Sequence, residues 1–135
     1  MYQIINFKVH GEHDGRLIAL EEMSADVPFE IKRIYYIYDV RDGLRRGFHA
    51  HKKLKQLIIC VRGSCKILLD DTKNRDVIEL NSPSIGVYIY QPLWREMYDF
   101  TNDCVLLVLA SEHYNTEDYL FDYKEYVRYL GAADV

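Results

Sequence analysis

The sequence is poor in the residues that would set it apart from an ordinary folded domain. Three cysteines in 135 residues are too few for a disulfide scaffold. Three prolines and seven glycines exclude collagen-like or low-complexity chain. No apolar run approaches the length that crosses a bilayer as a helix. Positive charge is not in excess: 17 basic against 21 acidic residues leave a net charge of -4. No general attraction for nucleic acid is expected, so a bound anion must be held by a few well-placed cations. The opening MYQIINFKVHGEHDG lacks the basic-then-apolar layout of a secretory signal. Cys60, Cys65 and Cys104 have no metal-ligand spacing, and their apolar or strand-forming neighbours mark them as buried, reduced thiols. A cytoplasmic protein without membrane or nucleic-acid partners is expected.

What is present is a globular composition, 49% hydrophobic and 28% charged, long enough to bury roughly two-thirds of its unfolded surface in one domain, residues 1–135. Short β-type runs follow one another at Ile4–Lys8, Leu17–Glu21, Ile31–Val40, Gln56–Val61, Cys65–Leu69, Val77–Leu80, Gly86–Tyr90, Trp94–Tyr98 and Cys104–Ala110. Polar turn clusters such as Asp70–Asn74 and Asn81–Ser84 separate them. Many short strands without intervening helices predict an all-β sandwich or barrel. The end of the chain differs. Asn115 or Thr116 can cap a helix with Glu117 and Asp118 in its first turn, and Leu120, Tyr123, Val127 and Leu130 then form an apolar stripe ending near Gly131. A terminal helix over about 116–130 is predicted, as a cover for the barrel or for a partner subunit and without a chemical role.

The chemistry concentrates in GLRRGFHAHKKLKQLIICVRG, Gly43 to Gly63. His49 and His51 are two apart in extended chain, so both side chains face one side. Two imidazoles on one face supply a metal-binding pair or two proton-transfer groups near neutral pH. Lys52 to Lys55 read as a solvated strand edge, and His10, His13 and His113 have no comparable context. Twelve tyrosines add side chains with a flat apolar face and a polar tip, suited to stacking on bases or sugars.

The spacing of Gly43, His49, His51 and Gly63 resembles the first cupin motif, in which Gln56 stands at the glutamate position. Gly86 and Pro92 resemble the second, with Trp94 at its central glycine and Met97 at its histidine. The resemblance implies a cupin-type β-barrel, or jelly roll. Metal-binding cupins would use three histidines and a carboxylate. With Gln56 and Met97 in place of two of these, two imidazoles remain, too few for Zn, Fe or Mn. No metal and no cofactor are expected, and the histidines are free for acid–base work.

Arg46-Gly47-Phe48-His49 is similar to a segment of the metal-free dTDP-sugar 3,5-epimerases. IKRIYYIYDV, RGFHAHKKLKQ, WREMYDF and CVLLVLAS together resemble the dTDP-4-keto-6-deoxyglucose 3,4-ketoisomerases over nearly the whole chain. That resemblance implies a metal-independent isomerase in 3-amino-3,6-dideoxy sugar biosynthesis for a surface glycan, with His49 and His51 catalytic and a homodimeric assembly. Alternatives are a 3,5-epimerase and a non-catalytic cupin that binds a sugar nucleotide. Arg33 and Arg46 are candidates for the diphosphate. One of Tyr35, Tyr36 and Tyr38, with Tyr36 the choice, is the candidate to stack on the base. Gln56, Trp94 and Arg95 complete the expected substrate-binding set. Related enzymes can carry histidine at the place of Arg95, which makes that position a candidate for setting the product epimer.

Overall fold

A computed structural model describes residues 1–133. Among these residues ten strands form two five-stranded antiparallel sheets. The first has the order β1 (Tyr2–Asn6), β7 (Ile85–Ile89), β4 (Gln56–Arg62), β9 (Val105–Ala110), β2 (Arg33–Ile37). The second has the order β10 (Tyr119–Leu120), β3 (Arg46–His51), β8 (Trp94–Tyr98), β5 (Cys65–Asp70), β6 (Arg75–Leu80). Alternation along each strand decides what lies between the sheets. Ile58, Cys60, Val87, Ile89, Leu106 and Val108 point inward from the first sheet and meet Cys65, Ile67, Leu69, Leu80 and Met97 from the second. The all-β barrel with a C-terminal helix is as the sequence implies.

The outer faces are covered differently. Leu57, Ile59, Tyr88 and Leu109 of the first sheet lie under Phe7, Val27 and Phe29 from the long β1–β2 connection. That connection holds no strand at Leu17–Glu21: Leu17 makes an isolated bridge to His10, and Ile18 and Leu20 pack on the sheet as loop. The expected run Ile31–Val40 shortens to Arg33–Ile37, because pairing with β9 ends there. On the second sheet, Ala50, Trp94 and Leu120 lie under Tyr126 of the terminal helix α1 (Tyr123–Ala133).

The expected helix over 116–130 is corrected in three ways. Asn115 caps only a 3-10 turn, Thr116–Asp118, and Tyr119–Leu120 then pairs with β3 as a short strand. The α-helix starts at Tyr123 because Asp122 caps it, its carboxylate accepting from the N–H of Lys124 at 2.7 Å. Its buried anchor is Tyr126, fully enclosed, whereas Val127 of the expected stripe is 40% exposed. Gly131 lies within the helix rather than ending it.

Candidate active site

The site is built where β3 crosses β8. Arg46 lies opposite Met97, Gly47 opposite Glu96 and His49 opposite Arg95. Glu96 and Arg95 are consecutive but Gly47 and His49 are not, so Phe48 is the extra residue of a β-bulge. The bulge uses left-handed backbone at Gly47 (φ 92) and Phe48 (φ 55). Gly47 is required sterically as well, since a Cβ there would stand 2.8 Å from the carbonyl oxygen of Arg95. The bulge decides which side chains meet. An odd spacing would put Arg46 and His49 on opposite faces of a regular strand. With one residue looped out, both share the inner face with Met97 and Arg95.

His51, two residues past His49, faces the same way, and the imidazole centroids are 4.8 Å apart with rings edge-on at 82°. Tyr119, directly opposite His51 on β10, packs against both, 4.3 Å from His51 and 5.2 Å from His49. Phe121 stacks on Tyr119 at 4.9 Å. Nδ1 of His49 is 2.9 Å from the carbonyl oxygen of Gly47. A carbonyl only accepts, so Nδ1 carries the proton and Nε2 keeps its lone pair. His51 is enclosed, and Asp118 Oδ2 lies 3.3 Å from its Nδ1, in ion-pair range but off the line of a hydrogen bond, leaving both ring nitrogens without a hydrogen-bonded partner. Asp118 is fixed by the backbone N–H groups of Lys53 (2.7 Å) and Leu54 (3.3 Å).

Both imidazoles are held neutral. Burial, followed by the positive charge of Arg95, lowers His49 to about 4 against the small opposing effect of the Gly47 carbonyl. Burial again leads for His51, with Arg95, His49 and Arg33 adding to it, and drives its pKa far below the ordinary range. Arg95 itself is fully buried, its guanidinium donating to the Leu93 carbonyl from Nε (3.2 Å) and Nη2 (3.0 Å) and to Gln56 Oε1 from Nη1. Desolvation lowers it only to about 10, so it remains a cation at neutral pH. Gln56 passes the connection on, its Nε2 donating to the Tyr35 hydroxyl at 3.0 Å. The guanidinium of Arg33 lies over the rings of Tyr35 and Tyr114, at 5.1 and 5.6 Å, and its buried Nε has no partner among the described residues.

The residues named from sequence therefore divide. His49, His51, Arg95 and Gln56 form one connected group, and Arg33 borders it. Arg46 is exposed at the start of β3, on the inner face. Tyr36 and Trp94 are not brought to the histidines. Tyr36 points out of the barrel, 63% exposed, because Tyr35 points in and neighbours on a strand take opposite faces. Trp94 turns away for the same reason, since Arg95 points inward. Its indole packs against Tyr123 and Tyr126 under α1, and its Nε1 donates to Glu96 at 3.0 Å. Met97 belongs to the core. Of the three tyrosines weighed on this strand, Tyr35 rather than the chosen Tyr36 reaches the site, and sequence reasoning gave Asp118 and Tyr119 no place in it. The acidic residue read as a favourable helix start instead supports a histidine. A surface cavity of about 560 Å³ lies on the outer face of the first sheet among Val9, Ile18, Leu20, Ile59 and Val61, and among the described residues no imidazole or carboxylate lines it.

Comparison with known proteins identifies the family. The family model described as FdtA, WxcM-like, C-terminal, matches residues 1–131. A TDP-4-oxo-6-deoxy-alpha-D-glucose-3,4-oxoisomerase of Aneurinibacillus thermoaerophilus is 45% identical over 133 residues, 98% of this chain and 95% of that one. A 3,4-ketoisomerase structure from Helicobacter canadensis is 48% identical with a TM-score of 0.92, covering 96% of this chain and 97% of the other. The 3,4-ketoisomerase QdtA of Thermoanaerobacterium thermosaccharolyticum, solved in complex with TDP, is 46% identical with a TM-score of 0.94 over 99% of this chain and 97% of that one. Taken with the paired histidines on their bulged strand, these matches show that the chain belongs to the WxcM-like family of dTDP-4-keto-6-deoxyglucose 3,4-ketoisomerases.

Proposed function

We propose that this enzyme converts dTDP-4-keto-6-deoxyglucose to a dTDP-3-keto-6-deoxyhexose without a metal ion. The observation that carries the reading is the pair of neutral imidazoles at 4.8 Å beside the buried Arg95 cation, in a chain similar over nearly its full length to ketoisomerases. Moving the ketone from C4 to C3 requires loss of the C3 hydrogen as a proton, formation of an enediol, and delivery of a proton to C4, while the two oxygens exchange protons. His49 is the better carbon base, since its Nδ1–H is committed to Gly47 and its Nε2 lone pair is free. His51, close behind it with Asp118 at Nδ1, is placed to relay protons between the oxygens. Burial, reinforced by the charge of Arg95, keeps both imidazoles in the basic form. Arg33, with an unpartnered buried Nε, and Arg46 at the open end of β3 are suited to the diphosphate. The metal-free reading rests on the donor set: Gln56 Oε1 is occupied by Arg95, and Met97 is packed in the core.

The same proposal places the enzyme in the cytoplasm, as a homodimer, in the synthesis of a 3-amino-3,6-dideoxyhexose for a surface glycan such as lipopolysaccharide. Three unbridged, buried cysteines suit a reducing compartment. No helix among the described residues is long and apolar enough to cross a membrane. Exposed Leu17, Met23 and Ile34 and the end strands of the first sheet supply surface for a second copy.

The test is incubation with dTDP-4-keto-6-deoxyglucose in deuterated water, followed by NMR of the sugar. A 3-keto product carrying deuterium at C4 is expected. Deuterium at C5 with the ketone left on C4 would mark a 3,5-epimerase, and binding without any exchange a sensor protein.

A further inference from the structure

Cys60, Cys65 and Cys104 lie at the other end of the barrel from the histidines and have no part in the isomerase reaction. Cys60 is four residues along β4 from Gln56 on the same inner face, which separates them by about 13 Å of strand. The three reach one point from three places in the chain. Cys60 stands near the end of β4, Cys65 opens β5, and Cys104 is in the turn that leads into β9. Gly63 makes the approach possible: it turns with φ 70, and a Cβ there would stand 2.9 Å from the Cys104 Cα. All three sulfurs lie within 4.8 Å of one another, with Cys60 and Cys104 at 3.6 Å, and none is in a disulfide. They are 0%, 1% and 2% exposed.

Three sulfurs around one ion with metal–sulfur bonds of about 2.3 Å stand about 4 Å apart in a trigonal plane, so the thiols already lie close to that triangle. The chemistry of the donors narrows the choice of ion. Among the described residues no imidazole or carboxylate joins the group. The polar atom nearest in the contacts of Cys60 is the Arg62 carbonyl, 3.1 Å from its sulfur. Zinc completes a tetrahedron with a fourth ligand, which this cluster lacks, whereas an all-sulfur set of soft donors selects Cu(I). An opening exists too. Cys104 lines a surface depression of about 450 Å³ together with Tyr36, Tyr38, Arg62 and Asp103. We propose that Cys60, Cys65 and Cys104 form a three-coordinate thiolate site for a single Cu(I) ion, independent of the isomerase centre. Binding replaces thiol protons, which leave to solvent, and transfers no electrons.

The experiment is an anaerobic titration of the reduced full chain with Cu(I) in competition with a chromophoric Cu(I) chelator. One Cu(I) retained per chain is expected, with X-ray absorption showing a shell of three sulfurs. Cys60→Ser and Cys104→Ser should each weaken retention by more than about tenfold, with ketoisomerase activity of the wild type unchanged by loading. Copper surrendered fully to the chelator, retention unchanged in folded Cys104→Ser, or a shell containing nitrogen or oxygen would overturn the proposal. If the serine variants do not fold, the sulfur count around copper in the wild type decides.

Discussion

Asp118 Oδ2 lies 3.3 Å from Nδ1 of His51, delivered by the short segment that precedes the terminal helix. Held by the backbone of Lys53 and Leu54, it is placed to position the imidazole in the proposed reaction. Asp118→Asn should lower kcat by about 10–100-fold with little change in KM, as loss of an orienting partner does. It should also move the acid limb of the rate profile, which a merely structural role would leave in place. Unchanged kcat and pH profile would separate Asp118 from the reaction.

How legible this was in the sequence varies by residue. Period-two spacing placed His49 and His51 on one face, and the glycines of the first cupin-like motif fall at turns beside β3 and after β4. The phase of β2 was not legible, because Tyr35 and Tyr36 are chemically alike and only pairing with β9 decides that Tyr35 faces in. The second cupin-like motif suggests Trp94 and Arg95 together, yet neighbours on a strand take opposite faces and only Arg95 points in. The Phe48 bulge brings Arg46 to the face of His49 against the simple count. Asp118 carried a local signal, an acidic residue after Asn115, whose ordinary meaning is a helix start. Its partner lies on another strand, and contacts of that range leave no trace in local spacing.

His49→Asn and His51→Asn should each fold and each lose most activity, since a placed acid or base contributes about 10²–10⁴ in rate. With both acting in the one proton-transfer sequence proposed above, the double variant should be little worse than the worse single. Single-turnover rates on all three would check this. Full activity in both singles would end the mechanism.

Stability should depend on pH through the same groups. His49 has an ordinary value of 6.5 and is lowered to about 4 in the fold, and His51 is lowered further. Between pH 6.5 and 4 the unfolded chain takes up protons that the folded chain refuses, so stability is full above 6.5 and falls as pH drops through that window. The urea midpoint should decline from pH 7 to pH 5, and less so in His49→Asn. The acid limb of kcat/KM should lie below 6.5. An acid limb at 6.5, with the same stability slope in both proteins, would contradict the neutral pair.

Exhaustive chelation should leave the rate unchanged, because Gln56 is bonded to Arg95 and Met97 is a core residue where a metal-binding cupin would have ligands. Activity lost with a stoichiometric transition metal and restored by returning it would show that the histidines hold an ion.

The last prediction concerns which face of the enediol is protonated at C4. That carbon is planar in the intermediate, so the product epimer depends only on where the proton comes from. Arg95 stands opposite His49 across β3 and β8, buried and charged, and a guanidinium does not give up its proton near neutral pH. Protonation then falls to the side of His49 and His51, and we expect the gluco product. Arg95→His puts a titratable imidazole at that register position and should move the product mixture towards galacto. The substitution leaves Gln56 Oε1 without its donor, at a cost of about 1–3 kcal/mol, so the variant should melt lower but still fold. Loss of the C3 hydrogen should persist, because His49 and its contact to Gly47 are untouched. NMR of the products from the wild type and the variant gives the ratio directly. An unchanged ratio in a folded, ligand-binding Arg95→His would assign control of the protonated face to another residue.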